Sequence, residues 1–330
     1  MTQPEDAAIS SGRDHGMTGS DRRSDRRAFL KGATAAAAVV PTLMGVSAMP
    51  AFAHEGESRG RSIPRESISI QLYTLRELSL ETTLQGLAAI GYRKVEHAGF
   101  GNRTAAEFRA ALQQAGLRAT SGHQAIPQPW NDSAWYQQVA DAVAVGQQSI
   151  VTPISPITFF PTDGDASKIK GLTTVAAWQR YAEDLNRAGL IARAAGLRFG
   201  FHNHFWEFAA LEDDSPLVGY DILLAETDPR LVHFEVDLYW AWFARRDPVQ
   251  LIAYAGDRIR QFHVKDMRFV DHKATFADAG TGVIDFARIF RAAGKTGEHE
   301  YIVERDDAGA GALTTARVGF DFLSRLRLSQ

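Results

Sequence analysis

β-rich and helical segments alternate along this chain from residue 67 onward, and that alternation limits the fold more than any single motif does. SISIQLY (67–73), YRKVEHAG (92–99), LRATSGH (117–123), SIVTPI (149–154), LRFGFHNH (197–204), LVHFEVD (231–237), RIRQFHVKD (258–266) and HEYIVERD (299–306) read as strands. Helical periodicity separates most of them. SLETTLQGLAAIG (79–91) carries a Ser79 cap with Glu81 in its first turn. TAAEFRAALQQAG (104–116) stops at a glycine. A long helix is expected over 173–196, and further ones over 284–294 and 311–328. Eight strands with intervening helices predict an α/β chain folded as a (β/α)8 TIM barrel. The rival is an open doubly wound sheet that binds a dinucleotide. QLYTL (71–75), after the first strand, lacks the glycine-rich turn which that ligand needs, so no nucleotide cofactor is expected.

The first 53 residues are of another kind. SDRRAFLKG (24–32) holds the paired Arg26 and Arg27, a weakly apolar uncharged run follows over 32–50, and Ala51-Phe52-Ala53 has a small-x-small cleavage pattern. The pair ahead of Phe29-Leu30-Lys31 resembles the twin-arginine export signal, with Asp25 where Ser or Thr is more usual. Pro41, Gly45 and Ser47 make the run a poor membrane span, so no stable anchor is expected after cleavage. The expected organisation is a signal over 1–53, a polar leader over 54–66 and one barrel domain over 67–330, placed in the periplasm or secreted. The chain has no cysteine, which excludes disulfides and thiolate zinc sites. Its net charge of −3 offers no general attraction to nucleic acid.

In a barrel of this kind the site lies at the C-terminal ends of the strands. The polar residues collect there: Glu96-His97, His123, His202-Asn203-His204, Glu235-Val236-Asp237, His263 with Lys265 and Asp266, and Glu304-Arg305-Asp306. Polar groups in such places are tolerated when they hydrogen-bond or bind something. Strand alternation puts His202 and His204 on one face, Glu235 and Asp237 on one face, and His263 with Lys265 on another. Carboxylates mixed with imidazoles suit one borderline divalent ion: Mn2+, Zn2+, Co2+ or Fe2+. Such an ion beside a sugar polarises a carbonyl, so that a carboxylate can take the α proton. Return of the proton elsewhere gives isomerisation or epimerisation; loss of a β group gives elimination.

SIQLYTLRE, GYRKVEHAGF, FGFHNHFWEF, HFEVDLYWAW, QFHVKD and EYIVERD together resemble the sugar phosphate isomerase/epimerase superfamily, the xylose isomerase-like barrels, over about residues 66–328. In its epimerase members the metal is held by a Glu ending strand five, an Asp ending strand six, a His ending strand seven and a Glu ending strand eight. The resemblance therefore implies that Asp237, His263 and Glu304 are ligands. At strand five His202 stands in the Glu position and Glu207 follows, either of which would complete the set. The pocket histidine three residues past the strand-six Asp is Trp240 here. The two glutamates exchange protons in the epimerases, which makes Glu304, Glu207 and His202 catalytic candidates, with Lys265 as a partner for an enolate. The change at strand five fits the dehydratase-like or 3-ketoglycoside-acting branch better than a symmetric two-glutamate epimerase. Glu96, His123, His204, Trp206, Trp240 and Arg268 are the candidate substrate contacts: the tryptophans as sugar platforms, Arg268 as an anion clamp. The leading expectation is a metal-dependent sugar isomerase or epimerase acting on a free, keto- or glycosidic sugar. A lyase on a keto-sugar is the close variant. A non-catalytic sugar-binding protein and a repair endonuclease of the same fold are the distant ones. The sequence leaves the oligomeric state open, a homo-oligomer included.

Overall fold

A computed structural model of the chain describes residues 61–159 and 170–328. The expected export signal and the first part of the leader lie outside the described residues. Eight parallel strands form one sheet: β1 (Ile68–Ile70), β2 (Lys94–His97), β3 (Arg118–His123), β4 (Ser149–Thr152), β5 (Arg198–His202), β6 (Val232–Asp237), β7 (Ile259–Val264) and β8 (Glu300–Val303). Neighbours in sequence are neighbours in space from β2 to β8, and β8 pairs in turn with β1. A parallel bridge between Gln71 and Glu96 brings β1 back to β2 and closes the ring. The expected barrel is therefore present, and the open-sheet rival is excluded.

Residues 61–62 pair antiparallel with 327–328, so the folded part begins ahead of residue 67. The helices are α1 (Leu80–Ile90), α2 (Ala105–Gln114), α3 (Asp132–Val145), α4 (Val175–Ala194), α5 (Gly219–Glu226), α6 (Leu238–Phe243), α7 (Pro248–Ala255), α8 (Phe286–Ala293) and α9 (Ala312–Arg325). Most start where the N-cap side chain satisfies a free backbone donor; α5 and α9 do not. Ser79 Oγ accepts from the Thr82 N–H, and Thr104 with Glu107 forms a reciprocal capping box.

The apolar core lies between the sheet and the helices. Alternate strand residues, such as Phe199 and Phe201 on β5, Phe234 and Val236 on β6, and Tyr301 and Val303 on β8, point outward into it. Their neighbours in sequence face the barrel axis. An additional hairpin, 266–270 with 273–277, extends beyond β7 and turns through Asp271 and His272 at positive φ.

Candidate active site

The strand ends converge on His263. Its Nδ1 lies 2.8 Å from Glu304 Oε2 on β8, and its Nε2 lies 2.8 Å from Glu96 Oε1 on β2 and 3.0 Å from Glu235 Oε1 on β6. His123 stacks on this ring at 5.2 Å and reaches the same two carboxylates at 3.1 and 2.8 Å. His202 adds a third imidazole, with Nδ1 2.9 Å from Glu235 Oε1. Gln71, just past β1, donates to Glu96 Oε1 at 2.9 Å, so the closure of the barrel and the site share one carboxylate.

Lys265 is buried beside this cluster. Its Nζ stands 2.7 Å from Glu304 Oε2, 3.0 Å from Asp306 Oδ1 and 3.1 Å from Asp237 Oδ2. Asp237 is also the N-cap of α6, where its Oδ1 accepts the Trp240 N–H at 2.9 Å, so the sharp strand-to-helix turn fixes the carboxylate. Trp240 then lies beneath the Lys265 ammonium, which sits 5.4 Å from its ring.

The charges follow from burial set against these partners. Burial disfavours the cation at His123, but Glu96 and Glu235 outweigh it and hold the ring at about 9. Burial is likewise overcome at His263 by Glu235 and Glu304, and at Lys265 by Asp237, Asp306 and Glu304; both stay charged well above their ordinary values. Glu304 resists burial because Lys265 and His263 hold it well below the carboxylate range. At Asp237 burial prevails over Lys265 and lifts the acid to about 6. Burial keeps His202 and His204 neutral, helped by His263 and Lys265 respectively.

Two overlapping groups have ligand atoms within 4.8 Å of one another: Asp237, His263 and Glu304, and His123, His202, Glu235 and His263. Their donors are imidazoles and carboxylates, the mixture that suits a borderline divalent ion. Glu96 Oε2 and Glu235 Oε2 are buried without a hydrogen-bond partner, as lone pairs kept for a cation would be. The residues fit such an ion.

Glu207 is the main correction. Sequence reading offered it as a ligand and proton carrier, but β5 ends at His202 and the chain turns into a short 3-10 segment over 206–208. Glu207 there accepts the His204 N–H at 2.8 Å and the Ser155 hydroxyl at 3.1 Å, and it belongs to neither ligand group. Burial raises this acid to about 7. Trp206 is 3% exposed, donates from Nε1 to Ser155 Oγ and stacks on His204 at 4.3 Å. It therefore supports the His204 ring rather than offering a free platform. Arg268 is exposed on the hairpin beyond β7 and is not brought into the cluster. Asp266, next to Lys265 in sequence, is not brought to it but accepts backbone N–H groups of Met267, Gly280, Gly282 and Ile284.

Glu235 is the residue that sequence reading placed on the right face and then left unassigned. The shared face with Asp237 was the available signal. Asp306 was placed at the strand ends but given no role, and Gln71 was missed as a member of the site.

A family profile described as xylose isomerase-like TIM barrel matches residues 84–326. The chain belongs to that family. Within the xylose isomerase-like barrels, an inosose dehydratase of Bacillus licheniformis is 29% identical over 181 residues, 49% of this chain and 59% of that protein. An inosose dehydratase of Salmonella typhimurium is 32% identical over 127 residues, 34% of this chain and 40% of that protein. The chain thus spans about half the length of the curated relatives it matches. Among solved structures, a sugar phosphate isomerase/epimerase from Parabacteroides distasonis superposes with a TM-score of 0.66 at 24% identity, covering 86% of this chain and all of that one. A D-psicose 3-epimerase from Clostridium cellulolyticum gives 0.59 at 15%, covering 80% and 99%. These two share the fold of this xylose isomerase-like barrel.

Proposed function

We propose that this chain is a divalent-metal-dependent enzyme that removes the proton α to the carbonyl of a keto-sugar or keto-polyol and expels a β-hydroxyl. The supporting observation is the place of Glu207. With that carboxylate bonded to Ser155 and His204, no glutamate from the β5 side faces Glu304. That arrangement supports elimination over a symmetric epimerisation, which depends on two opposed acids. The similarity to inosose dehydratases supports the same direction.

Asp237, His263 and Glu304 would hold the ion, His263 giving up its imidazolium proton as it binds, and the bound ion would polarise the substrate carbonyl. Lys265 presents an ammonium where the carbonyl oxygen gains charge. Glu304, already ionised, is the carboxylate that takes the α proton. His123 is cationic and partly exposed, and donates a proton to the departing β-hydroxyl. The α C–H and β C–O bonds break, a C=C bond forms, and the hydroxyl leaves as water. Trp240 and His204, the latter backed by Trp206, form a wall for the ring. Export by the twin-arginine route is a separate proposal, tested by fractionating cells that express the chain with and without Arg26→Lys and Arg27→Lys.

The enzymatic test is metal content together with turnover. The purified protein is assayed on an inosose, 3-keto-glycosides and free ketohexoses, with Glu304→Gln as control. About one equivalent of metal and dehydration that fails in the control is the expected result. Interconversion of ketohexoses without elimination would return the reading to an epimerase. Sugar binding without metal or turnover would reduce the chain to a binding protein.

A further inference from the structure

Barrels of this type ordinarily fill their axis with branched apolar side chains. Below the candidate site this one does not. The inward positions hold Ser69 on β1, Ser121 on β3, Ser149 on β4 and Gly200 on β5, all buried or lacking a side chain. Val151 and Ile302, buried apolar residues on the same inner face, stay outside the core that the helices share. Strand register sets Ser121 beside Ser149, with Glu96 beside Ser121 on the other side. Gln261 on β7 pairs in register with Glu235 on β6 and Glu300 on β8, and its Oε1 is taken by His233 at 2.8 Å.

The polar atoms along this inner face are not satisfied by protein. The hydroxyls of Ser69, Ser121 and Ser149 and the Gln261 Nε2 are buried without a hydrogen-bond partner, as are Glu96 Oε2 and Glu235 Oε2 above them. One such group costs about 1–3 kcal/mol, and native interiors rarely leave several together unpaired. The three serines also occupy less volume than the Val or Ile residues that would fill an eight-stranded barrel, whereas the space beside Gly200 is taken by the His233 ring. A ligand that both donates and accepts, and is small enough for that space, satisfies both observations, and water does so. At the lower end Thr120, at a bulge in β3, donates to Glu300 Oε1 at 2.5 Å and closes the axis with a bond between strands far apart in the ring.

We propose that the barrel axis binds a file of ordered waters, running from Glu96 and Glu235 past the three serines to a gate at Thr120–Glu300. The file gives the site an outlet on the face opposite the substrate mouth. That use rests on the elimination proposed above, whose product is water; the waters themselves do not depend on it.

High-resolution crystallography and water magnetic relaxation dispersion on the full chain test this. The expected result is ordered density bonded to the three serines and Gln261 Nε2, together with long-lived internal waters in solution. Thr120→Val should speed their exchange about tenfold, the effect of losing one hydrogen bond of about 1.4 kcal/mol, and Thr120→Ser should keep it slow. Serine hydroxyls turned onto strand carbonyls, with no density between them, would overturn the file. So would dispersion that is unchanged in Thr120→Val. The paired variant Ser121→Val/Ser149→Val should lose the long-lived signal and slow turnover while holding its metal. Turnover unchanged in that variant, with waters seen in the wild type, would overturn the outlet alone. Waters found in a protein without dehydratase activity would uphold the file and sink the function proposed above.

Discussion

Replacing Glu207 by Gln separates the two roles this residue could have. The carboxyl is fully buried, and burial raises it from 4.5 to about 7. At about 1.36 kcal/mol per pH unit that rise corresponds to an upper figure of about 3 kcal/mol. Between pH 4.5 and about 7 the folded state holds this proton more tightly than the unfolded state does. Stability contributed by the protonated form is therefore complete below that window and is lost as pH rises through it. Glutamine does not titrate and keeps both contacts: its Oε1 accepts the His204 N–H, and its Nε2 donates to Ser155 Oγ. Glu207→Gln should match the wild type at the acid edge of the window and exceed it by about 1–3 kcal/mol above pH 7. Urea unfolding of the metal-free proteins across that range reads the difference, and the other titrating groups cancel between the two chains. Metal content should be the same in both. A variant with the wild-type pH slope would refute the burial argument. A variant that loses its metal would restore Glu207 as a ligand.

Lys265→Met should destabilise the metal-free protein by about 3–5 kcal/mol, because Asp237, Glu304 and Asp306 then face one another unpaired; calorimetry reads the loss, and turnover should fall by about a hundredfold or more. His263→Gln should abolish stoichiometric metal binding, since that ring is common to both ligand groups, and mass spectrometry of the purified protein checks it. Trp240→Ala should raise KM about three- to tenfold with a smaller change in kcat, as expected for loss of an aromatic wall. Gly122→Ala places a Cβ 2.1 Å from His97 Nε2 and 2.6 Å from Gln147 Nε2, and should lower stability by about 1–3 kcal/mol in thermal melts.

The barrel was legible because each strand segment is bounded by a capped helix or a glycine stop, and β/α alternation has few compact solutions. Where alternation alone decides a face, as at Asp237, His263 and Glu304, the sequence indicated which side chains the structure brings together. It failed where the strand ends early. Counting by twos past His202 carries no information once the backbone turns into the 206–208 segment, and Glu207 was misplaced for that reason. The hairpin after β7 was missed because its turn residues, Asp271 and His272, take positive φ without the glycine that ordinarily announces it. The polar barrel axis was equally silent, since a buried serine in a strand looks the same in sequence whether it faces helices or the axis.

The strand order carries a consequence for how the protein is made. β8 is inserted between β1 and β7, so β1 has no partner on that side until residues 300–303 have been made. Glu304 and Asp306 arrive on the same segment. Until then Lys265 has only Asp237 of its three carboxylate partners, His263 has Glu96 and Glu235 but not Glu304, and the ligand group that includes Asp237 lacks Glu304. An ion held by Asp237, His263 and Glu304 is therefore acquired only once β8 has been made, whereas His123, His202, Glu235 and His263 all come before it in the chain.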